Sequence, residues 1–270
     1  MSKMYDLFEK DGTKIGTIIP VLHRGNIVIL RTYEDSDIDQ ITKYTPSKLL
    51  RNHQLEFAVC ARFASLTLYA LGGLQRFVDY NLMPILTGIG KKIMNLDEFT
   101  DYVGERRLLL SEHKELLEGI IFNHKIPYDT MLLFKPAVKF NWLNLNILVT
   151  IPEINPGINL INKCNFPVFR FIVVMGCVSD FIYNFFSDRY VQSFAKIHNI
   201  GVKFTGKWHS STSILPEHSI TIQLPESGMH IYRDNISILV SFAIQFGEFD
   251  SNGEPVETNT AANGTILRVF

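Results

Sequence analysis

The sequence predicts an α+β fold, and three observations carry the prediction. Short β-type runs at the N-terminal end are separated by dipeptides suited to tight turns, and apolar residues then recur at helical spacing from about residue 45. From Met131 onward β-branched and aromatic residues become frequent, and prolines at 127, 136, 152, 156 and 167 punctuate the segments. The expected layout is an N-terminal β hairpin, a helical middle block and a β-rich C-terminal part with one further helix. These form a single composite domain over 1–270, with a small β element at 1–33, the helical block at 35–124 and the β-rich part at 131–270.

Taken in order, Met4 to Phe8 and Lys14 to Ile19 flank Asp11-Gly12, whose residues tolerate the positive φ of a hairpin turn. Ile27 to Thr32 is a third short run after Gly25-Asn26. Thr45-Pro46 predicts a helix start, and Leu55, Val59, Phe63, Leu66 and Ala70 form its apolar stripe up to a break at Gly72-Gly73. Further helices are expected over about 74–83, 96–103 and 111–123. Alternation through Phe140, Trp142, Leu143, Leu145, Ile147 and Val149 reads as strand. Val168 to Phe186 is the most apolar stretch, but Arg170 and Asp180 interrupt it, so it is expected to be buried core, changing from strand to helix near Gly176. That further helix spans about 178–198; strands follow at 202–208, 219–224, 236–246 and 265–270, with a turn at Ser251-Asn252-Gly253.

Composition narrows the function classes. Lys plus Arg is 26 and Asp plus Glu is 27, a net charge of -1, which leaves little repulsion between copies and lacks the basic excess of a dedicated nucleic-acid coat. Hydrophobic residues make up 46% of the chain and charged residues only 20%, as expected where a partner covers apolar surface. The first residues carry acidic groups where a signal peptide needs an apolar core, so an intracellular, unsecreted and membrane-free protein is expected. Cys60, Cys164 and Cys177 lack CxxC spacing. An odd count leaves room for one intermolecular disulfide, expected first at Cys164 or Cys177, whose neighbours Asn165 and Ser179 suggest segment edges.

No motif reaches catalytic or metal-binding completeness. Glu34, Asp35, Asp37 and Asp39 alternate as in a calcium loop, but Gln40 and Pro46 stand where Gly and Glu are required. Thr87-Gly88-Ile89-Gly90-Lys91-Lys92 lacks the first glycine and the hydroxyl of a phosphate loop. Ser111 with Lys114 and Ser193 with Lys196 have Ser-x-x-Lys spacing without companion elements. His53 and Cys60 lie two helical turns apart, about 10.5 Å, too far for proton transfer. Asn235-Ile236-Ser237 and Asn263-Gly264-Thr265 are formal glycosylation sites. No cofactor or metal is expected. Lys203, Lys207 and Trp208, beside His209, interleave charge with an aromatic ring as a single-strand nucleic-acid surface would; on a strand the two lysines share a face and Trp208 takes the other.

The stretches MYDLFEKDGTKIGTII, TPSKLLRNHQLEFAVCARFASLTLYALGG and TILRVF, taken over the whole length, resemble an insect-virus occlusion-body matrix protein, a polyhedrin, most nearly of the nudivirus kind. The resemblance transfers no functional residue. It implies a non-enzymatic viral structural protein of the nucleus or cytoplasm that self-assembles into a crystalline lattice around virions and dissolves at alkaline pH. Its partners would be further copies of itself and virions, with nucleic acid and membrane unlikely partners. The alternatives are a capsid or nucleocapsid protein that binds nucleic acid, and an enzyme whose site is assembled only in three dimensions. With 15 lysines, 10 tyrosines and 3 cysteines, ordinary side-chain pKa values bring the net charge to at most about -16 near pH 10.4.

Overall fold

The computed structural model describes residues 5–8, 14–23, 27–33, 47–195, 201–224 and 234–270. Contacts divide the chain into two compact units, Met1–Leu50 and Arg51–Phe270. In the first, β1 (Tyr5–Phe8), β2 (Lys14–His23) and β3 (Ile27–Tyr33) form an antiparallel sheet in that order. β2 sets Ile18 opposite Tyr5 on one side and Ile19 opposite Arg31 on the other. The strands flank the expected turns. The dipeptides Asp11-Gly12, Gly25-Asn26 and Thr45-Pro46, and the carboxylates from Glu34 to Asp39, lie outside the described residues.

Among the described residues the helices are α1 (Lys48–Ala70), α2 (Leu82–Asn95) and the single turn α3 (Tyr128–Met131). After them come β4 (Ala137–Asn141), β5 (Asn146–Ile151), β6 (Val168–Ser179), β7 (Phe181–Asn184), β8 (Arg189–Gln192), β9 (Gly201–Thr205), β10 (His209–Ser210), β11 (His218–Gln223), β12 (Ile236–Phe249) and β13 (Pro255–Val269). The class is α+β, with all ladders antiparallel. The central sheet runs β10-β6-β12-β13 with β9 also on β6, and a smaller sheet runs β11-β5-β4.

β6 and β12 are buried on both faces almost throughout, which is why the sequence there is apolar without clear alternation. Period two still sorts the residues. Ile172, Val174 and Val178 join Leu239, Ala243 and Ile266 beneath α1 and α2. Phe169, Phe171, Val173, Met175 and Cys177 join Phe242 and Ile244 against Ile147, Val149, Ile220 and Ile222 of the smaller sheet. The large unit is therefore layered as helices, central sheet and second sheet.

The Ser47 hydroxyl accepts the Leu50 amide at 3.3 Å at the start of α1, whose expected stripe buries Val59, Phe63 and Ala70. The helix ends where foreseen, with Gly72 and Gly73 at φ +56° and +92°. Residues 74–83 are only partly helical: a 3-10 turn over Leu74–Phe77 precedes α2, whose Asn81 cap accepts the Met83 amide at 3.3 Å.

Three expectations are corrected. β6 continues through Gly176 to Ser179, because α1 crosses so closely that a Cβ at Gly176 would overlap the Ala70 carbonyl and lie 2.8 Å from its Cα. The helix expected over 178–198 is instead the β7–β8 hairpin, with Phe181 opposite Gln192 and Tyr183 opposite Tyr190. Residues 96–103 and 111–123 are loop and short 3-10 turns. There the Asp97 carboxylate takes the Arg107 amide at 2.7 Å, and Gly104 and Gly119 adopt positive φ. No described helix is long and apolar enough to cross a membrane.

Gly176→Ala is expected to lower stability by about 3 kcal/mol or more, or to prevent folding, because backbone rather than a movable side chain stands in the way. Gly88→Ala, in an open position of α2, should instead raise stability by about 0.5–1 kcal/mol. Urea midpoints of the two variants against the parent check both.

Candidate self-association surfaces

The β7–β8 hairpin ends in Asn184-Phe185-Phe186-Ser187-Asp188. The Asn184 carboxamide oxygen accepts the amides of Phe186 at 2.9 Å and Ser187 at 3.1 Å, an Asx turn that closes the loop without bringing the phenyl rings inward. Asp188 sits at φ +50° and accepts the Tyr183 hydroxyl, which secures the return strand. Leu108 and Phe181 exchange amide bonds of 2.9 Å each, tying the base of the hairpin to the 108–110 segment. The result is an aromatic tip in water: Phe185 is 65% and Phe186 104% exposed.

A second feature is a shallow apolar groove between α1 and α2, lined by Phe57, Ala61, Met83, Pro84, Gly88 and Lys91. Gly90 makes it narrow, since a Cβ there would stand 3.0 Å from the Phe63 ring and 3.4 Å from the Cys60 backbone. Glu56, with no exposed side-chain surface, sets the helix pair in register. Its carboxylate accepts Arg106 Nε at 2.9 Å and Nη2 at 2.7 Å, the Gly104 amide at 2.8 Å, and Lys91 Nζ from α2. Burial alone would push this carboxyl up; the bonds from Arg106, Gly104 and Lys91 outweigh it and hold the group down to about 2.

The residues singled out in the sequence are scattered. Cys164 is exposed on the 162–166 loop; Cys60 and Cys177 are buried. An intermolecular disulfide through either buried thiol would require the core to open, so the expectation narrows to Cys164, against the equal standing that Cys177 had from its neighbour Ser179. The Cys60 thiol instead donates to Met94 sulfur at 3.3 Å. Thr87 to Lys92 lie inside α2 rather than in a loop or at a helix end. The Ser111 hydroxyl donates to Asp180. Asn263 is buried and holds the carbonyls of Asn123 and Ile126, so it is no glycan acceptor.

β9 stops at Thr205, so Lys203 and Lys207 do not share one strand face. Both are exposed, while Trp208 is half-buried with the Arg170 guanidinium over its ring at 4.4 Å. That ring face is taken, and Glu257 sits among the cations, bound by Arg76 at 3.1 Å and Arg170 at 2.7 Å. The arrangement is a surface ion cluster whose cations are already paired within the chain rather than an open stacking platform.

The aromatic tip and the groove escaped sequence reading because Phe181, Ile182, Phe185 and Phe186 imitate a helical stripe. The flanking Asn184 and Asp188 were the available turn signal. Comparison with protein-family models, with curated proteins and with solved structures finds no match for this chain.

The two buried carboxylates give opposite acid responses. Burial pushes Asp180 up to about 6, against the bonds from Ser111 and Leu110, so the folded chain holds this proton more tightly than the unfolded chain. Its contribution to stability is present below about pH 4 and lost as pH rises through about 6, a fall of about 3 kcal/mol. Glu56, being depressed, contributes above about pH 4.5 and loses that contribution as pH falls toward about 2. Urea stability between pH 4 and 7 should therefore decline in the parent relative to Asp180→Asn, while the acid limb below pH 4.5 should persist in that variant. Parallel curves for the two chains across pH 4–7 would contradict this.

Proposed function

We propose that this chain is a non-enzymatic structural protein that assembles with copies of itself into an extended lattice, of the occlusion-body kind that its sequence resembles. The observation that carries the reading is the aromatic tip, Phe185 and Phe186 held in water by an ordered turn. Large apolar side chains on separate elements support it: Phe57 on α1, Phe99 and Tyr102 in the loop after α2, Leu143 at the β4–β5 turn and Ile158 beyond β5 are each more than half exposed. A lone exposed leucine means little, but exposure scattered over several faces, on a chain of net charge -1, suits contacts with several neighbours at once.

Alkaline dissolution follows from charge, on a smaller scale than composition suggests. Burial pushes Tyr128 and Tyr190 above the alkaline range and raises Cys60 to about 11 and Cys177 to about 12. Tyr183, donating to Asp188, rises to about 12, and Tyr80 is also raised. With Tyr128, Tyr190, Tyr183, Cys60 and Cys177 neutral, loss of lysine charge becomes the main contribution, and the net charge near pH 10.4 is about -13 per chain. Repulsion on that scale, repeated at every contact, opposes assembly.

Light scattering of the purified protein across concentration and pH tests the reading. The expected result is mass well beyond a dimer from mildly acidic to neutral pH, falling above about pH 10. A monomer at every concentration removes the proposal. Dissolution with a midpoint near pH 6–7 assigns the trigger to histidines instead.

A further inference from the structure

Resting on that reading, we infer that the Phe185–Phe186 tip of one copy seats in the α1–α2 groove of a second copy, so that one chain carries both halves of a repeating contact. The hairpin and the groove lie on different sides of α1. The hairpin lies along the side of α1 that carries Arg51 and Arg62: Arg51 reaches Asp188 at 3.8 Å and Arg62 donates to Gln192 at 3.1 Å. At 100° per residue, Phe57 and Ala61 stand roughly 80–140° around the same helix from those two arginines. The contact is therefore between different surfaces of two copies, and such contacts propagate into rings or open arrays rather than closing as a symmetric pair.

The chemistry matches on both sides. The walls from Phe57, Ala61, Met83 and Pro84 are apolar, and Gly88 offers no side chain, with no atom within 4 Å of where its Cβ would be. A phenyl ring entering there meets mostly carbon, and the two polar residues of the lining are committed elsewhere: Lys91 to Glu56, and the Thr87 hydroxyl to the Met83 carbonyl at 2.8 Å. Two phenylalanines bury about 150–250 Å² each. Counting both sides, the contact removes roughly 600–1,000 Å², below the 1,200 Å² or more of a stable isolated pair. A contact of that size holds poorly by itself and well when every copy makes it twice, once with its tip and once with its groove. This size argument selects a second copy as the occupant over an independent soluble partner.

Cysteine trapping tests the contact in the Cys164→Ser background. Chains carrying Ser187→Cys, which keeps both rings, and chains carrying Gly88→Cys are mixed at neutral pH and oxidised, and dimers are read on non-reducing gels with light scattering of the same samples. The expected result is mixed tip-to-groove disulfides at least about tenfold more abundant than those between Ser187→Cys and Ser251→Cys chains, where the second thiol stands on an exposed turn outside the proposed contacts. Gly88 lies in open space on α2, so this variant should fold, and Ala61→Glu in the Gly88→Cys chain should abolish the trap. Assembly by scattering with no excess of tip-to-groove disulfides overturns this contact and leaves self-association standing. Absence of both overturns the contact and the self-association together.

Discussion

Everything in the large unit hangs on the ladder between β6 and β12, which runs in unbroken register from Val168 opposite Gly247 to Ser179 opposite Ile236. Its two faces lead to two different layers. Alternate residues hold the helices on one side and the β5–β11 sheet on the other, so a shift of one residue would exchange Val174 for Val173, and with it every partner of both layers. Each buried valine, isoleucine or phenylalanine contributes about 1.5–3 kcal/mol, and these two strands supply nearly half of those among the described residues. The helices and the smaller sheet therefore share one support.

Close approach and charge then fix what the support carries. Gly176 lets α1 cross β6 with backbone against backbone, and Gly90 lets α2 lie against α1. Glu56 ends the search for register between the helices by drawing Lys91 from α2 and Arg106 from the next loop onto one carboxylate. A buried ion cluster adds less net stability than its bond count suggests, because desolvation opposes it. Its effect is geometrical: the wall spacing of the α1–α2 groove is set by charges that no alternative packing would neutralise.

Much of this was legible in the residues. The N-terminal strands followed from turn chemistry, and the stripe and end of α1 and the strands at 219–224 and 236–246 from periodicity, because the apolar residues of these last elements are indeed inside; the strand expected over 202–208 stops at Thr205, with Phe204 exposed. The segment 181–194 was misread for the opposite reason. Periodicity converts apolar residues into a buried face, and Phe185 and Phe186 are apolar and outside. Once they are counted as core, a helix is the only short-range answer; once they are set aside, Phe181, Tyr183 and Tyr190 show the two-residue period of a hairpin. The error and the candidate site thus have one cause. The loops at 96–103 and 111–123 were hidden differently: Leu96, Phe99 and Tyr102 are exposed while Leu117 and Phe122 are buried, and the chain is held by bonds to Asp97, to Asp180 and to β13 that no local pattern announces.

The register partners of the central ladder are far apart in sequence, as Gly176 and Leu239 are, and pairings of that kind close slowly. Until they close, Val59 and Phe63 on α1 have no layer to cover them. The hairpin also lacks its anchor, because Phe181 follows directly on β6. Neither tip nor groove is presented in its working form before the core exists. The self-association proposed through tip and groove would then draw only on chains that have finished folding, with the slow step of the fold acting as a gate on the order of events.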